Sequence, residues 1–404
     1  MGKIDSRNKV NIKYKNNKLI LILLFISSIS HAVYSLYSVY PSPLKIITSG
    51  LLWVSFILSI NNMFIHIHHY NRFIDKLISL LLLISVLQFL RYFIYGGESS
   101  LISTLTNPYY GLCLLTPIIY FSLQSYYTLK LIHMLGLLLI AISTLCLKSN
   151  YYILYLSPLL IFSLYLRKYR LKVLFLIILS LIFITKDALI PNQATGDTQR
   201  ALLIIFVYAC ITFSIYIFKR KYRHIAMITV FLSVTIPLIL VIYTIKTEIS
   251  PFSYLTELNN EELGTDNRTF LYDEVFTDLK RNDSFLQGFG ISNGYYSSYF
   301  SNSLHEKRNV NEVTILHFLF RAGLIWTILY LTIIVYAMIY SIKKSKNNLC
   351  LGGSIMLSGY FFSSFIIDTN SINFIHVIIW FLIAICTSSK FNNLSNIEII
   401  KLIK

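Results

Sequence analysis

The chain has 404 residues, of which 55% are hydrophobic and 13% charged, with 35 Lys and Arg against 18 Asp and Glu. Repeated apolar runs long enough to cross a bilayer exclude a large soluble core and indicate an integral membrane protein. The net charge of +17 would suggest a nucleic-acid partner in a soluble protein. Here the basic residues lie in short clusters between apolar runs, which is typical of topology signals, and we expect no nucleic acid partner.

The spans are predicted from apolar runs of about 20 residues each. Residues 1–17 form a cytoplasmic tail, and the run that follows is too long for a cleaved signal peptide, so it is expected to be retained as the first span. The predicted spans are 18–40, 45–64, 75–95, 108–128, 130–147, 151–166, 171–186, 201–218, 224–245, 313–341, 349–367 and 371–388. The fold class is therefore an all-α, polytopic helical membrane bundle with about twelve spans.

The connections between spans alternate in charge, which predicts the orientation. Connections such as "LRKYRLK", "KRKYRH" and "IKKSKNN" are rich in Lys and Arg, whereas "PSP", "KSN" and "DTNS" are not. By the positive-inside rule both termini are cytoplasmic, including a tail at 389–404. The transmembrane regions are 18–245, with nine spans, and 313–388, with three.

One connection, 246–312, is a large extracytoplasmic loop that holds much of the acidic sequence. Within "NRTFLYDEVFTDLKRN" the apolar residues Phe270, Leu271, Val275, Phe276 and Leu279 recur at helical spacing, which predicts an amphipathic helix. The following "GFGISNG" predicts a glycine turn, at which Gly288 and Gly290 would let backbone N–H groups approach a ligand.

Several arginines stand near predicted outer helix ends, where charge is costly unless it is paired or functional. Arg91 lies near the outer end of the third span, and either snorkelling to the interface or a ligand would explain it. Arg200 opens the eighth span on the outer side, against the positive-inside pattern, which favours an anionic ligand. Arg268 lies in the large loop, where a solvated charge is the alternative explanation.

The tenth span begins with three ionisable residues. His317 and Arg321 are four apart and so share a helix face, and Glu312 lies just before the helix. A cap with an interfacial ion pair would explain them; a polar site open to the outer face is the functional alternative. His305 lies in the preceding loop as a further candidate base. The tract "HIHHY" resembles a metal-binding tract, but an interfacial cluster explains it better.

These residue types fit the handling of a lipid-linked pyrophosphate. Converging arginines match phosphate oxygens and stabilise the charge of a departing pyrophosphate, and a carboxylate or imidazole can take a proton from an attacking sugar hydroxyl. Tyrosines in "NGYYSSYF" offer flat faces to sugars. No metal or other cofactor is needed if the arginines neutralise the leaving group.

Four short motifs follow one another across roughly 195–329: "GDTQRALLIIF", "NRTFLYDEVFTDL", "GFGIS" and "NEVTILHFLFRAGLI". Their order and placement resemble the O-antigen polymerase and O-antigen ligase superfamily. Arg200 and Arg268 match the arginines of the family pattern, Gly288 and Gly290 its turn, and Gly323 its closing glycine. Glu312 stands where ligase-like members carry histidine, which favours the polymerase branch, and leaves the base open among Glu312, His317 and His305.

The resemblance implies a polymerase of O-antigen or capsule repeat units in the bacterial cytoplasmic membrane. Its substrates would be undecaprenyl-pyrophosphate-linked oligosaccharides, transferred with inversion and without metal, and a chain-length regulator would be a possible partner protein. The pyrophosphate would be held by Arg200 and Arg268, with help from Arg321 and Arg91. The alternatives are a ligase, a flippase of lipid-linked sugars, and a membrane acyltransferase that uses His133 or His376.

Overall fold

The computed structural model describes residues 16–30, 42–70, 72–107, 110–142, 157–160, 206–212, 222–247, 269–297, 307–366 and 374–403. This part is mostly helical. Its helices and strands are α1 (Asn16–Ser30), α2 (Ser42–Tyr70), α3 (Phe73–Tyr95), α4 (Leu101–Thr106), α5 (Leu112–Leu115), a 3-10 turn (Thr116–Ile119), α6 (Tyr120–Leu123), α7 (Tyr126–Ile142), α8 (Tyr222–Thr247), α9 (Thr269–Arg281), β1 (Tyr295–Tyr296), β2 (Lys307–Arg308), α10 (Thr314–Lys344), α11 (Asn348–Ser363), α12 (Phe374–Thr387), α13 (Ser389–Asn393) and α14 (Asn396–Ile403). Residues 157–160 and 206–212 are also helical.

Four of the described helices are long and apolar enough to cross a membrane, judged by length and composition. They are α3, α10, the part of α2 from Ile46 to Phe64 and the part of α8 from Arg223 to Tyr243. The helical architecture expected from the sequence is confirmed at this coarser level. The predicted spans 151–166, 171–186 and 201–218 lie largely or wholly outside the described residues, so the count of twelve stays a prediction.

The largest differences from the predicted spans occur in two segments. The predicted span 108–128 is shorter, because α5, the 3-10 turn and α6 together cover only Leu112–Leu123. Pro117 stands at the start of the 3-10 turn and has no N–H for a continuous α-helical ladder. The predicted connection after residue 64 is also partly helical, since α2 continues to Tyr70.

The carboxyl-terminal segment predicted as a tail, 389–404, is built into the molecule. It forms α13 and α14, and α14 packs against α7. Ile399 and Ile403 are four residues apart and are 0% and 4% exposed, because one face of α14 is apolar. Residues 389–403 therefore form packed helices, and the cytoplasmic location of this segment stays a prediction.

The described helices have two chemically different ends. We call the end where α3 finishes and α10 begins the loop end; Ile315 N–H donates to Ser364 O there, 3.1 Å away, which places the end of α11 beside it. At the opposite end, Arg223 Nη2 donates to Ser345 O at 2.8 Å. We call this the basic end; the described cations at this end include Arg72, Lys76, Arg223, Lys343, Lys344, Lys346 and Lys390.

The amphipathic helix predicted in the large loop is confirmed as α9. Leu271, Val275 and Leu279 are fully buried in a second apolar core, against Leu316 and Phe320 of α10. The hydroxyl of Tyr272 also donates to Phe365 O at 2.5 Å. Helix α9 is thus docked on the start of α10 and on the residues that follow α11.

Candidate functional site

Helix α10 is interrupted at Gly323, close to the loop end. This residue has φ 82° and ψ 176°, so the element consists of a short helix up to residue 322 and a longer one from 324. An interruption removes the usual partners of the carbonyl groups one turn earlier. Such groups are costly to leave without a partner inside a membrane.

The chain segment 285–293, which we call the glycine turn, supplies the missing partners. Phe289 N–H donates to Phe320 O at 2.6 Å, and Gly290 N–H donates to Arg321 O at 3.1 Å. In return, the N–H of Leu324 donates to Phe285 O at 3.0 Å. The backbone of the glycine turn therefore takes the place of one turn of α10.

Two glycines make this close approach possible. Gly288 and Gly290 have φ values of 70° and 101°, which side-chain-bearing residues rarely adopt. A Cβ atom at Gly288 would also lie 2.7 Å from Gly323 N and 2.8 Å from Arg321 O. At Gly288 the structure shows a close approach to α10, and the predicted approach of these glycines to a ligand stays a prediction.

Arg321 holds the glycine turn from the other side. Its guanidinium is fully buried and donates to Ile291 O at 2.6 Å, to Asn293 O at 3.2 Å and to Asn309 O. It also lies 4.7 Å from the centre of the Tyr110 ring. The Arg321 guanidinium is therefore used by backbone carbonyls and is closed off from solvent, and its predicted part in binding pyrophosphate stays a prediction.

Two polar side chains of helix α3 also donate hydrogen bonds to the backbone of the glycine turn. Gln88 Nε2 donates to Gln287 O at 2.8 Å, and Arg91 Nη1 donates to Gly288 O at 2.8 Å and to Gln287 O at 3.4 Å. Gln88 and Arg91 are three residues apart and so share a helix face. Arg91 thus turns toward the glycine turn and does not merely extend along α3 to the interface.

A polar cavity of about 320 Å³ lies between the end of α3 and the glycine turn. Its lining comprises Arg91, Tyr92, Tyr95, Gly96, Gln287, Phe289, Gly290, Ile291, Ser292 and Asn293. Among the described residues of this lining Arg91 is the only cation, and its Nε and Nη2 donate to none of the residues described. Because a guanidinium presents its donors in a planar fork, these atoms suit a phosphate or carboxylate ligand.

The rim of this cavity is fastened by contacts between the residues after α3 and the hairpin of β1 and β2. Lys307 Nζ lies 2.6 Å from Glu98 Oε1, and Gly294 N–H donates to Glu98 Oε2 at 3.1 Å. The hydrogen bond to the Glu98 carboxylate raises the pKa of Lys307. Glu98 N–H donates in turn to Asn293 Oδ1 at 3.0 Å. Glu98 therefore connects the segment that follows α3 to the glycine turn and to β2.

Glu312, a predicted base, lies beside the hairpin. Its carboxylate is 2.7 Å from Arg308 Nη2, and the Glu312 side chain is 35% exposed. Arg308 pairs in register with Tyr295. Burial raises the pKa of Tyr295 to about 12, with Arg308 opposing this shift and Glu274 adding to it. Glu312 is thus reachable from solvent and belongs to a charged cluster.

His317 is placed differently from Glu312. It is fully buried, and its ring lies 5.1 Å from that of Phe320 in an edge-on arrangement. The guanidinium carbon of Arg321 lies 4.9 Å from the centre of the same Phe320 ring. His317 and Arg321 therefore meet around one aromatic ring, but His317 does not line the Arg91 cavity.

Three predicted site residues, Arg200, Arg268 and His305, lie outside the described residues. Sequence reasoning missed Gln88 and Glu98, which fasten the glycine turn and the cavity rim. A glutamine three residues before Arg91 in an otherwise apolar run was the available signal. Among the described residues, no three His, Cys, Asp or Glu side chains group together as metal ligands.

Comparisons with known proteins add no relative. No protein-family model, characterised protein or solved structure matches this chain.

Proposed function

We propose that this protein polymerises the repeat units of a surface polysaccharide, O-antigen or capsule. It would transfer a glycan from undecaprenyl pyrophosphate onto a lipid-linked repeat unit at the outer face of the bacterial cytoplasmic membrane. The observation that carries the proposal is the polar cavity at the loop end, where two donor-bearing nitrogens of Arg91 remain open beside the glycine turn. The motif order described above supports the same activity.

The charge distribution supports an outward-facing cavity. The cluster of lysines and arginines at the basic end would lie in the cytoplasm under the positive-inside rule. The loop end, with Glu98, Asp278 and Glu312 among its charges, would then face outward. A lipid-linked sugar entering from the outer leaflet would reach Arg91 at the end of α3.

The proposed reaction forms one glycosidic bond and breaks another bond at the same carbon. A base takes the proton of the acceptor hydroxyl, and the hydroxyl oxygen attacks the anomeric carbon of the donor glycan. The bond from that carbon to the pyrophosphate breaks, and the pyrophosphate leaves on its lipid carrier. The configuration of the anomeric carbon is inverted in the product. Arginine stabilises the charge that develops on the leaving group, for which Arg91, Arg200 and Arg268 are the candidates.

Glu312 is the favoured base because its side chain is partly exposed, whereas His317 is fully buried. A base must come within about 3 Å of the proton it removes, directly or through one water molecule. His305 remains the third candidate.

The test is complementation of a bacterial strain that lacks its own polymerase and makes the matching repeat unit. We expect Arg91→Ala, Arg200→Ala and Arg268→Ala each to abolish long chains while single repeat units are still made and exported. Arg281→Ala is the matched control, because Arg281 is an exposed cation that ends α9 and does not line the cavity. Long chains of normal yield in the Arg91, Arg200 and Arg268 variants would refute the site assignment.

One observation favours a second function, the transport of lipid-linked sugars. Interrupted membrane helices whose freed backbone groups surround a cavity are typical of transporter binding sites, and α10 is interrupted beside the Arg91 cavity. A deletion that traps repeat units on the cytoplasmic side of the membrane would favour transport. Export of single units with loss of polymer would favour the polymerase, and long polymer retained on its carrier would favour a ligase.

A further inference from the structure

A groove between α8 and α10 combines an apolar floor with a charged end. Its cavity measures about 510 Å³ and lies away from the Arg91 cavity, on the part of α10 that runs to the basic end. The lining residues are Val234, Leu238, Ile328, Leu331, Thr332, Val335, Tyr336, Ile339, Tyr340, Lys343 and Phe361. On α10 these residues recur at three- and four-residue steps, so they form one continuous stripe that ends at Lys343.

The stripe is apolar over most of its length and charged at one end, as a phospholipid is along its acyl chain and headgroup. Ile328, Leu331 and Val335 make its middle part apolar. Tyr336 and Tyr340 follow with their rings stacked, 5.8 Å between centres. Tyrosines at this depth are typical of the boundary between acyl chains and headgroups. Lys343 then stands at the level where a headgroup phosphate would lie.

The charge at this end is open to a ligand. Lys343 is exposed and forms no ion pair with any residue that the structure describes. Arg223 ties the start of α8 to the end of α10 through its bond to Ser345 O, so the groove is bounded by a second cation at the basic end. Basic pockets between membrane helices on the cytoplasmic side suit anionic lipid headgroups.

We propose that this groove binds an anionic phospholipid of the leaflet at the basic end. One acyl chain lies along the stripe from Ile328 to Val335, and the phosphate meets Lys343 beside Tyr340. The site is separate from the proposed sugar-transfer chemistry and holds whether or not that function is correct.

Native mass spectrometry of the full-length protein in detergent tests the proposal. Phosphatidylglycerol and phosphatidylcholine of the same acyl chains are titrated separately, and bound lipids are counted. We expect phosphatidylglycerol to bind about fivefold more tightly, and Lys343→Glu to remove this preference. Lys76→Ala, at an exposed lysine of the basic end outside the groove, should leave the preference intact.

A second pair of variants tests the acyl-chain part of the groove. Thr332→Trp places a bulky ring on the groove floor and should weaken binding of both lipids, whereas Ile325→Trp, at an exposed position of α10 outside the groove, should not. Inorganic phosphate added in excess should displace little lipid. Equal binding of both lipids in wild type, or Thr332→Trp with unchanged binding, would overturn the proposal. So would a dimer that Thr332→Trp converts to monomer, because the groove would then hold a second copy of the chain.

Discussion

Gly288 and Gly323 pack backbone against backbone, and a Cβ atom on Gly288 would lie 2.7 Å from the nitrogen of Gly323. Both residues have positive φ, 70° and 82°. The contact holds the glycine turn against the interruption of α10 at the loop end. A side chain at either position would separate the two backbones.

We expect Gly288→Ala to lower the free energy of unfolding by at least about 2 kcal/mol, because strain at positive φ and a backbone clash act together. Gly290→Ala should cost less, since nothing lies within 4 Å of a Cβ atom there and only the backbone strain remains. Gly50→Ala, on an open helical position, should stay within about 1 kcal/mol of wild type. Thermal unfolding in detergent measures the series, and equal midpoints for all three variants would contradict it.

We expect Arg321→Met to release the glycine turn. The variant leaves the carbonyls of Ile291, Asn293 and Asn309 without their donor, at about 1–3 kcal/mol for each group that stays buried. Hydrogen exchange of segment 289–296 should accelerate, while exchange in α11 stays slow. Arg321→Lys should not restore protection, because an ammonium cannot reproduce the planar fork. Wild-type protection combined with lost activity would instead favour direct contact with a ligand.

The contact between Glu98 and Lys307 should weaken at high pH. The pKa of Lys307 is raised by Glu98, so the stabilisation is complete below the usual lysine pKa of about 10.4 and is lost as pH rises through the raised value. The pair is partly exposed, and we expect a coupling of about 0.2–1 kcal/mol. A double-mutant cycle with Glu98→Gln and Lys307→Met measures it at about pH 8 and about pH 11. Equal coupling at both pH values would show that the ion pair is not its source.

We expect Glu312→Gln to reduce polymer formation by about 10²- to 10⁴-fold, the range typical for removal of a general base. Stability should change by no more than about 1 kcal/mol, because the pair with Arg308 is partly exposed. Polymer length on gels and thermal unfolding are measured together. Glu398→Gln, at an exposed carboxylate of α14, is the control. If His317→Asn stops polymerisation and Glu312→Gln does not, the base is His317.

The sequence predicted those helices whose formation depends on the spacing or the run length of their own apolar residues. The spacing of Leu271, Val275 and Leu279 identified α9, because helical amphipathicity is repeated every three to four residues and needs no knowledge of the partner surface. The apolar runs located α3, α8 and α10 because the length and composition of a run are also local properties of the sequence. Pro117 is the signal in the sequence that the predicted span 108–128 is divided, because proline lacks the N–H of a continuous α-helical ladder.

Long-range pairing could not be read in the same way. Arg321 in an apolar run signals that a partner is required, yet both a ligand and a set of backbone carbonyls satisfy that requirement. The carbonyls that bind it come from Ile291, Asn293 and Asn309, which lie before α10 in the chain. No local period marks such residues as partners. The sequence therefore predicts that Arg321 needs a polar partner, but it does not predict that backbone carbonyls of the preceding segment are that partner.

The interruption of α10 has a consequence for biosynthesis. A membrane helix ordinarily satisfies its own backbone and can enter the bilayer as an independent unit. The start of α10 cannot do so, because the carbonyls of Phe320 and Arg321 depend on N–H groups of the glycine turn. In a bilayer, insertion of α10 would therefore require the glycine turn to fold against it, and a chain that lost the glycine turn would expose the carbonyls of Phe320 and Arg321 to lipid.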